Sequence, residues 1–370
     1  MIQVHAFHPI TGRHIAQIPY SRLDWADSLN ESGSMNLTMP LTLPELSERT
    51  RSLLLREYGI IYGAFEVMES GGIRFYHAGY LKRVTLADDH QSWTLSVGGG
   101  GTVLSKRLVL NYGLRDGWRD GQVLIDEDNP PGNWVFKSTG GSYADVFHDL
   151  IVETLKWGSL PLQPNVRVGG SRRDLTWNCW ELKTVSTALS DIGEYADGPE
   201  FRWQPRLDEQ WNLNFWLQVS SDSGELVDHT WTWNTAIPGD SVSLEAVDSE
   251  GAGMVGASYA VGGRDEDKIL IAHHVGSALT SQGWPLLQAA NVEHGTVSVL
   301  STLQNYARAD VQSGDQPQRS AKVTCSRTYN VHVGDWVNLR DNSVLHELKV
   351  TDISGDASKD TLSLDCSYRY

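Results

Sequence analysis

Residues 23–41 read LDWADSLNESGSMNLTMPL. Apolar residues stand at Leu23, Trp25 and Leu29, and the alternation breaks over Asn30–Gly33. It resumes at Met35, Leu37, Met39 and Leu41. A two-residue period puts one face of a strand on a core and the other toward water. Asn30, Ser32 and Gly33 supply turn chemistry between the two runs. The stretch reads as a β-hairpin with no chemistry beside it.

The same pattern extends on both sides. Residues 2–7 and 14–18 alternate around the turn Pro9-Ile10-Thr11-Gly12. Residues 60–68 and 73–84 flank Glu69-Ser70-Gly71-Gly72, and 92–97 follow a turn at Asp88-Asp89. Seven or eight strands in about 105 residues predict an antiparallel barrel or sandwich. Four glycines follow, Gly98–Gly101. They lack the Gly-Lys-Ser/Thr and GxGxxG patterns of phosphate loops, so they read as a turn or a close backbone approach.

Residues 110–141 are rich in Gly, Asp, Asn and Pro and read as a long irregular excursion. Asp126, Asp128 and Asn129 lack the glycine and glutamate spacing of a calcium loop. Two helices are expected next. One is capped at Ser142-Tyr143-Ala144-Asp145, and the other begins at Asn178-Cys179-Trp180-Glu181 and stops at Gly198-Pro199. Strands at 201–204 and 211–217 complete a mixed α/β middle. The last third returns to strands, 254–261, 268–274 and four near the C-terminus. A helix over 298–312 turns Leu300, Leu303, Ala307 and Val311 inward.

Composition bounds the function. The chain has 370 residues and a hydrophobic content of 40%, enough for two or three cores. No apolar run of about 18 residues is present, so no membrane-spanning helix is expected. The N-terminus lacks a signal-peptide pattern, which points to synthesis in a cytoplasm. Cys179, Cys325 and Cys366 form no metal spacing and read as buried thiols. A net charge of −16 disfavours specific nucleic-acid binding.

No HExxH, GxSxG or Cys–His peptidase signature occurs. His273 and His274 point to opposite sheet faces and cannot share a metal. Glu66 is the nearest approach to a catalytic acid and reads as a strand residue. Trp231 with Trp233, and Trp211 with Leu213 and Phe215, raise a sugar-binding reading, with core packing the simpler one. No catalytic, metal or cofactor residue is therefore expected, and the chain is expected not to be an enzyme.

Three blocks carry a resemblance. They are LDWADSLNESGSMNLTMPL with its return FEVMESGGIRFYHAGYLKRV (65–84), then WELKTVSTALSDIGEYADGPEFRW (180–203). The third is the run ASYAVGGRDEDKILIA (257–272), STLQNYARADVQ (301–312) and VGDWVNL (333–339). In this order they resemble baseplate hub, or tail-associated, proteins of long-tailed siphovirus-type phages of actinobacteria. Ser32 and the 110–141 loop depart from the family pattern.

The resemblance implies a mainly β chain with an α+β middle region. Two tail-tube-like antiparallel β-barrels, at 1–108 and 241–370, would flank a mixed α/β domain at 109–240. A helical segment at about 276–314 would be inserted in the second barrel. It implies a homotrimer in the virion tail tip, touching a distal tail protein ring, the C-terminus of the tape measure protein and a central fibre or spike. DNA would pass through without specific binding, favoured by acidic walls. Trp25, Trp118 and Trp134 are expected at its interfaces. A cell-wall hydrolase and a carbohydrate-binding or receptor-binding tail-tip module are the competing readings.

Overall fold

The computed structural model describes residues 1–41, 47–87, 91–117, 124–195, 197–237, 241–265, 268–292, 294–295 and 297–368. The first strands are β1 (Gln3–Phe7), β2 (His14–Ile18), β3 (Arg22–Ser28), β4 (Ser34–Pro40), β5 (Ile61–Val67), β6 (Ile73–Leu86) and β7 (Ser92–Gly98), with α1 (Glu48–Leu54) between β4 and β5. The middle holds α2 (Leu114–Gly117), β8 (Val135–Gly141), α3 (Tyr143–Lys156), β9 (Leu162–Gln163), β10 (Arg173–Asn178), α4 (Val185–Gly193), β11 (Phe201–Leu207) and β12 (Leu213–Val219). Then come β13 (Thr230–Asn234), β14 (Val242–Glu250), β15 (Ala257–Asp265), β16 (Lys268–Val275), α5 (Ala278–Ser281), β17 (Gln288–Asn291) and α6 (Leu300–Ser313). The chain closes with β18 (Gln318–Ser326), β19 (Trp336–Asp341), β20 (Val344–Asp356) and β21 (Thr361–Tyr368). The protein is mainly β with a mixed α/β part.

The opening hairpin forms as its pattern requires. β3 pairs β4 with Leu23 opposite Leu37 and Trp25 opposite Met35, and all four are buried. Its turn uses left-handed backbone at Asn30 and Gly33, with φ of 65° at each.

The N-terminal and C-terminal strand sets are not separate sheets. β20 pairs with β3, setting Ser354 opposite Ala26 and Gly355 opposite Trp25. One 13-stranded sheet results, in the order β14-β18-β21-β20-β3-β4-β7-β6-β5-β1-β2, with β19 on β20 and β13 on β19. A single core joins the sets, packing Trp25, Met35 and Leu37 with Val323, Leu362 and Leu364. A second core holds α3 and α4 against the hairpin β11–β12 and Phe7, Phe65 and Tyr80 of the first set. A small third core seats α6 on β15 and β16.

Four expectations need correction. The second helix starts at Thr184, whose side chain accepts from the Thr187 N–H. Asn178 instead donates to the Glu181 side chain, and the turn there ends at Leu182 in left-handed conformation. In the third helix Leu300 is exposed, and Tyr306 takes the inward place. The excursion at 110–141 ends in strand β8, antiparallel to β10. The loop expected after residue 261 is strand through Asp265. The turn at Asp88-Asp89 lies outside the described residues.

Candidate functional site

Two features lie where the regions of the chain meet, the first between the middle and the C-terminal strands and the second among all three. The first is a buried polar joint. β11 carries Arg202, which is 6% exposed. Its guanidinium donates to Gln218 at 2.6 Å, to the Val333 carbonyl at 2.7 Å and to Asp228 at 2.5 Å. Asp335 ends the turn that Gly334 makes possible with a φ of 93°. One Asp335 oxygen accepts from the backbone N–H groups of Asp228 and His229, the other from the His332 N–H and the Trp231 indole. Lys349 is 7% exposed, and its ammonium meets Glu200 at 2.6 Å and Glu225 at 3.7 Å. Ion pairs this buried resist separation, because pulling one partner away strands the other charge.

His229, His332 and Asp335 bring possible metal-ligand atoms within 4.8 Å of one another. The chemistry does not favour an ion there. Four N–H groups already occupy the Asp335 carboxylate, which offers about four lone-pair sites in all. Burial, and then the Arg202 charge, hold His332 below its ordinary pKa, and that same guanidinium, bonded to Asp228 at 2.5 Å, would repel a cation placed here. The trio is a hydrogen-bonded joint.

The second feature is a cleft of about 520 Å³. Its walls come from β3, the start of β6, β11 and the loop 329–333. Trp25, Tyr76, Trp203 and Tyr329 make it aromatic, while Arg74, Arg206, Asp27 and Glu31 make it polar. Asp27 accepts from His77 at 2.6 Å. The other nitrogen of that ring is buried without a hydrogen-bond partner among the described residues.

No protein-family model matches the sequence, and no curated protein sequence matches it. Solved structures do match. A 43 kDa tail protein of prophage MuSo2 from Shewanella oneidensis has a TM-score of 0.53 at 12% identity, covering 99% of this chain and 98% of that one. A tail protein from Neisseria meningitidis MC58 has a TM-score of 0.51 at 13% identity, over 99% and 96%. The chain has the fold of these two tail proteins. At such identity the likeness concerns backbone architecture, not residue roles.

On this fold the residues singled out from sequence fall apart in space and kind. Trp25 is 4% exposed, packs on Tyr76 at 4.9 Å, and forms part of the cleft. Trp134 is half-buried at the edge of the second core, and Trp118 lies outside the described residues. Glu66 binds the terminal ammonium and the Tyr76 hydroxyl. Trp231 and Trp233 pack on Tyr329 with centroids at 5.7 and 5.2 Å, and Leu213 and Phe215 are core residues. The three cysteines are free and buried. In the β18–β21 ladder Cys366 faces Ala321 and Cys325 faces Leu362, so the two thiols are out of register for a disulfide. Arg202, Asp335 and Lys349 escaped the sequence reading, since their partners lie far along the chain.

A latch ties the first strands to the middle. The β1–β2 turn reaches β12 through Leu213 N–H donating to the Gly12 carbonyl at 2.8 Å. Beside it His5 bonds His14 at 2.9 Å and Gln3 at 3.1 Å. Trp211 covers both rings at 5.8 and 6.2 Å. Burial, then the neighbouring His14, pull the His5 pKa from 6.5 down to about 4. A depressed folded-state pKa gives stability that is full above pH 6.5 and lost as pH falls through about 4. Unfolding by urea is expected to need less denaturant as pH falls across that window, the loss discounted for the partial solvent access of the pair. His5→Phe should flatten the drop; an unchanged pH profile in that variant rules the latch out as its cause.

Proposed function

We propose that this chain is a structural protein of a phage tail tip or baseplate, a trimeric hub whose sheets wall an axial channel. The likeness to two tail proteins over 99% of the chain supports the setting. The observation that carries the reading is an eight-strand run, β14-β18-β21-β20-β3-β4-β7-β6, whose inner strands β18, β21, β3 and β4 alternate buried apolar residues with more exposed, mostly polar ones.

Polar residues cross this face in register. One row runs Ser243–Thr324–Ser363–Ser354–Ala26–Ser34, and another Asp24–Asn36–Ser96–Arg83. Lys322 faces Asp365. Such a wall is hydroxyl-rich with both signs interleaved, so it presents DNA with little to hold. The negative wall expected from the −16 charge gives way in this reading to a near-neutral one.

The run ends in two open edges of opposite charge. Among the described residues β14 pairs only with β18, and the part of β6 at 82–86 pairs only with β7. β14 exposes Glu245, Asp248 and Glu250, and β6 exposes Lys82 and Arg83. An unpaired edge invites another strand. Opposite charges favour β14 of one copy meeting β6 of the next, a head-to-tail contact that closes into a ring. In this reading the ring stacks between a distal tail protein ring and a central fibre or spike, around the tape measure protein. Sedimentation equilibrium tests it: the expected mass is three times the 41.1 kDa chain, and a monomer at all concentrations contradicts it.

A further inference from the structure

The cleft is bounded by a strand edge that, past Phe201, no strand among the described residues covers. β11 pairs with β12 on one side. On the other, the Phe201 N–H donates to the Asn30 side chain at 2.7 Å, and its carbonyl accepts from the Asn30 N–H at 2.9 Å. Outward-facing backbone groups alternate along an antiparallel strand, so those of Trp203, Pro205 and Leu207 share that edge. Pro205 fits this parity, because its missing N–H falls where no ladder bond is made. Among the described residues, the N–H groups of Trp203 and Leu207 have no backbone partner.

The charge beside the edge is also uncommitted. Arg206 donates to the neutral Gln204 amide and lies over the Trp216 ring at 4.6 Å. Arg74 donates to the Arg327 carbonyl. Glu66, opposite Arg74 in register, is turned to the Tyr76 hydroxyl and the terminal ammonium. Neither guanidinium has a carboxylate within ion-pair distance among the described residues. This holds in a chain with 46 acidic residues against 30 basic ones.

We infer that this cleft receives a short extended peptide segment of a partner protein, carrying a carboxylate and adding as a strand to the open edge of β11. Backbone bonds to Trp203 and Leu207 set its register, and Pro205 between them limits its length. Trp25, Tyr76 and Tyr329 receive apolar side chains from one face, and Arg206 takes the carboxylate. The site needs only one copy of the chain, so it stands whether or not a ring forms.

Fluorescence anisotropy of two labelled peptides against the full chain tests this. The probes are Thr-Val-Glu-Val-Thr and Thr-Val-Lys-Val-Thr. The Glu peptide is expected to bind about tenfold tighter or more, the value of one charge-assisted hydrogen bond. Arg206→Glu, at an exposed side chain, should reverse the preference. Leu207→Pro removes one edge donor without touching the β12 ladder and should weaken both peptides several-fold. Absence of saturable binding, equal affinities, or a preference that survives Arg206→Glu overturns the site. Affinity unchanged in Leu207→Pro overturns the strand geometry.

Discussion

Gly99→Ala is expected to leave little folded protein. A Cβ on Gly99 would sit 1.3 Å from the Ser32 carbonyl oxygen, a backbone atom that no rotamer change can move. The neighbours are nearly as tight: a Cβ on Gly100 would enter the Phe215 ring at 2.4 Å, and one on Gly101 would meet the Trp203 indole nitrogen at 2.3 Å. The four-glycine run is thus where the opening hairpin's turn, the first sheet and the β11–β12 hairpin close on one another. Overpacking usually costs about 1–3 kcal/mol, and a backbone overlap lies at or beyond the top of that range. Gly132→Ala is the control, with nothing within 4 Å of its Cβ, and should change stability by less than about 0.5 kcal/mol. Soluble yield and urea unfolding of the two variants decide it. A Gly99→Ala chain as stable as the control refutes the close approach.

Asp335→Ala should be nearly as damaging. The carboxylate is fully buried and satisfies three backbone N–H groups and one indole. Each orphaned buried donor costs about 1–3 kcal/mol, so a loss of roughly 4 kcal/mol or more is expected even with partial relaxation. Asp335→Asn keeps one acceptor oxygen and turns an amide N–H2 toward the other donors, so it should fall between. Urea midpoints with unchanged slope test the order. A wild-type midpoint for Asp335→Ala would show that water replaces the carboxylate freely.

The opening hairpin was legible because β4 alternates buried Met35, Leu37 and Met39 with more exposed neighbours, whereas β5 is buried on both faces from Ile61 to Phe65 and was marked by its apolar run and flanking turn instead. The capping box at Ser142 was legible because its partners lie three residues apart, and the structure forms it with Asp145. β14 was not legible. Its residues Ala246–Glu250 are exposed on both faces, so no period marks them. Nor could sequence reveal that β20 joins β3, since that pairing links residues some 330 positions apart and leaves no local trace. The site followed the same rule. Aromatic and acidic residues drew attention by type, yet Arg202 and Asp335 matter through partners that only the fold supplies.

Paired cysteines across the β14–β6 edge test the central claim most directly. One cysteine replaces Ser243, Ala246 or Asp248 on β14, and the other replaces Arg83 or Thr85 on β6. The native thiols are buried and stay out of the reaction. Under mild oxidation the double-cysteine chains should join into a ladder that stops at three, and each single-cysteine chain should stay unlinked. A ladder that never rises above one chain, or one that runs on without stopping, contradicts a closed ring of three.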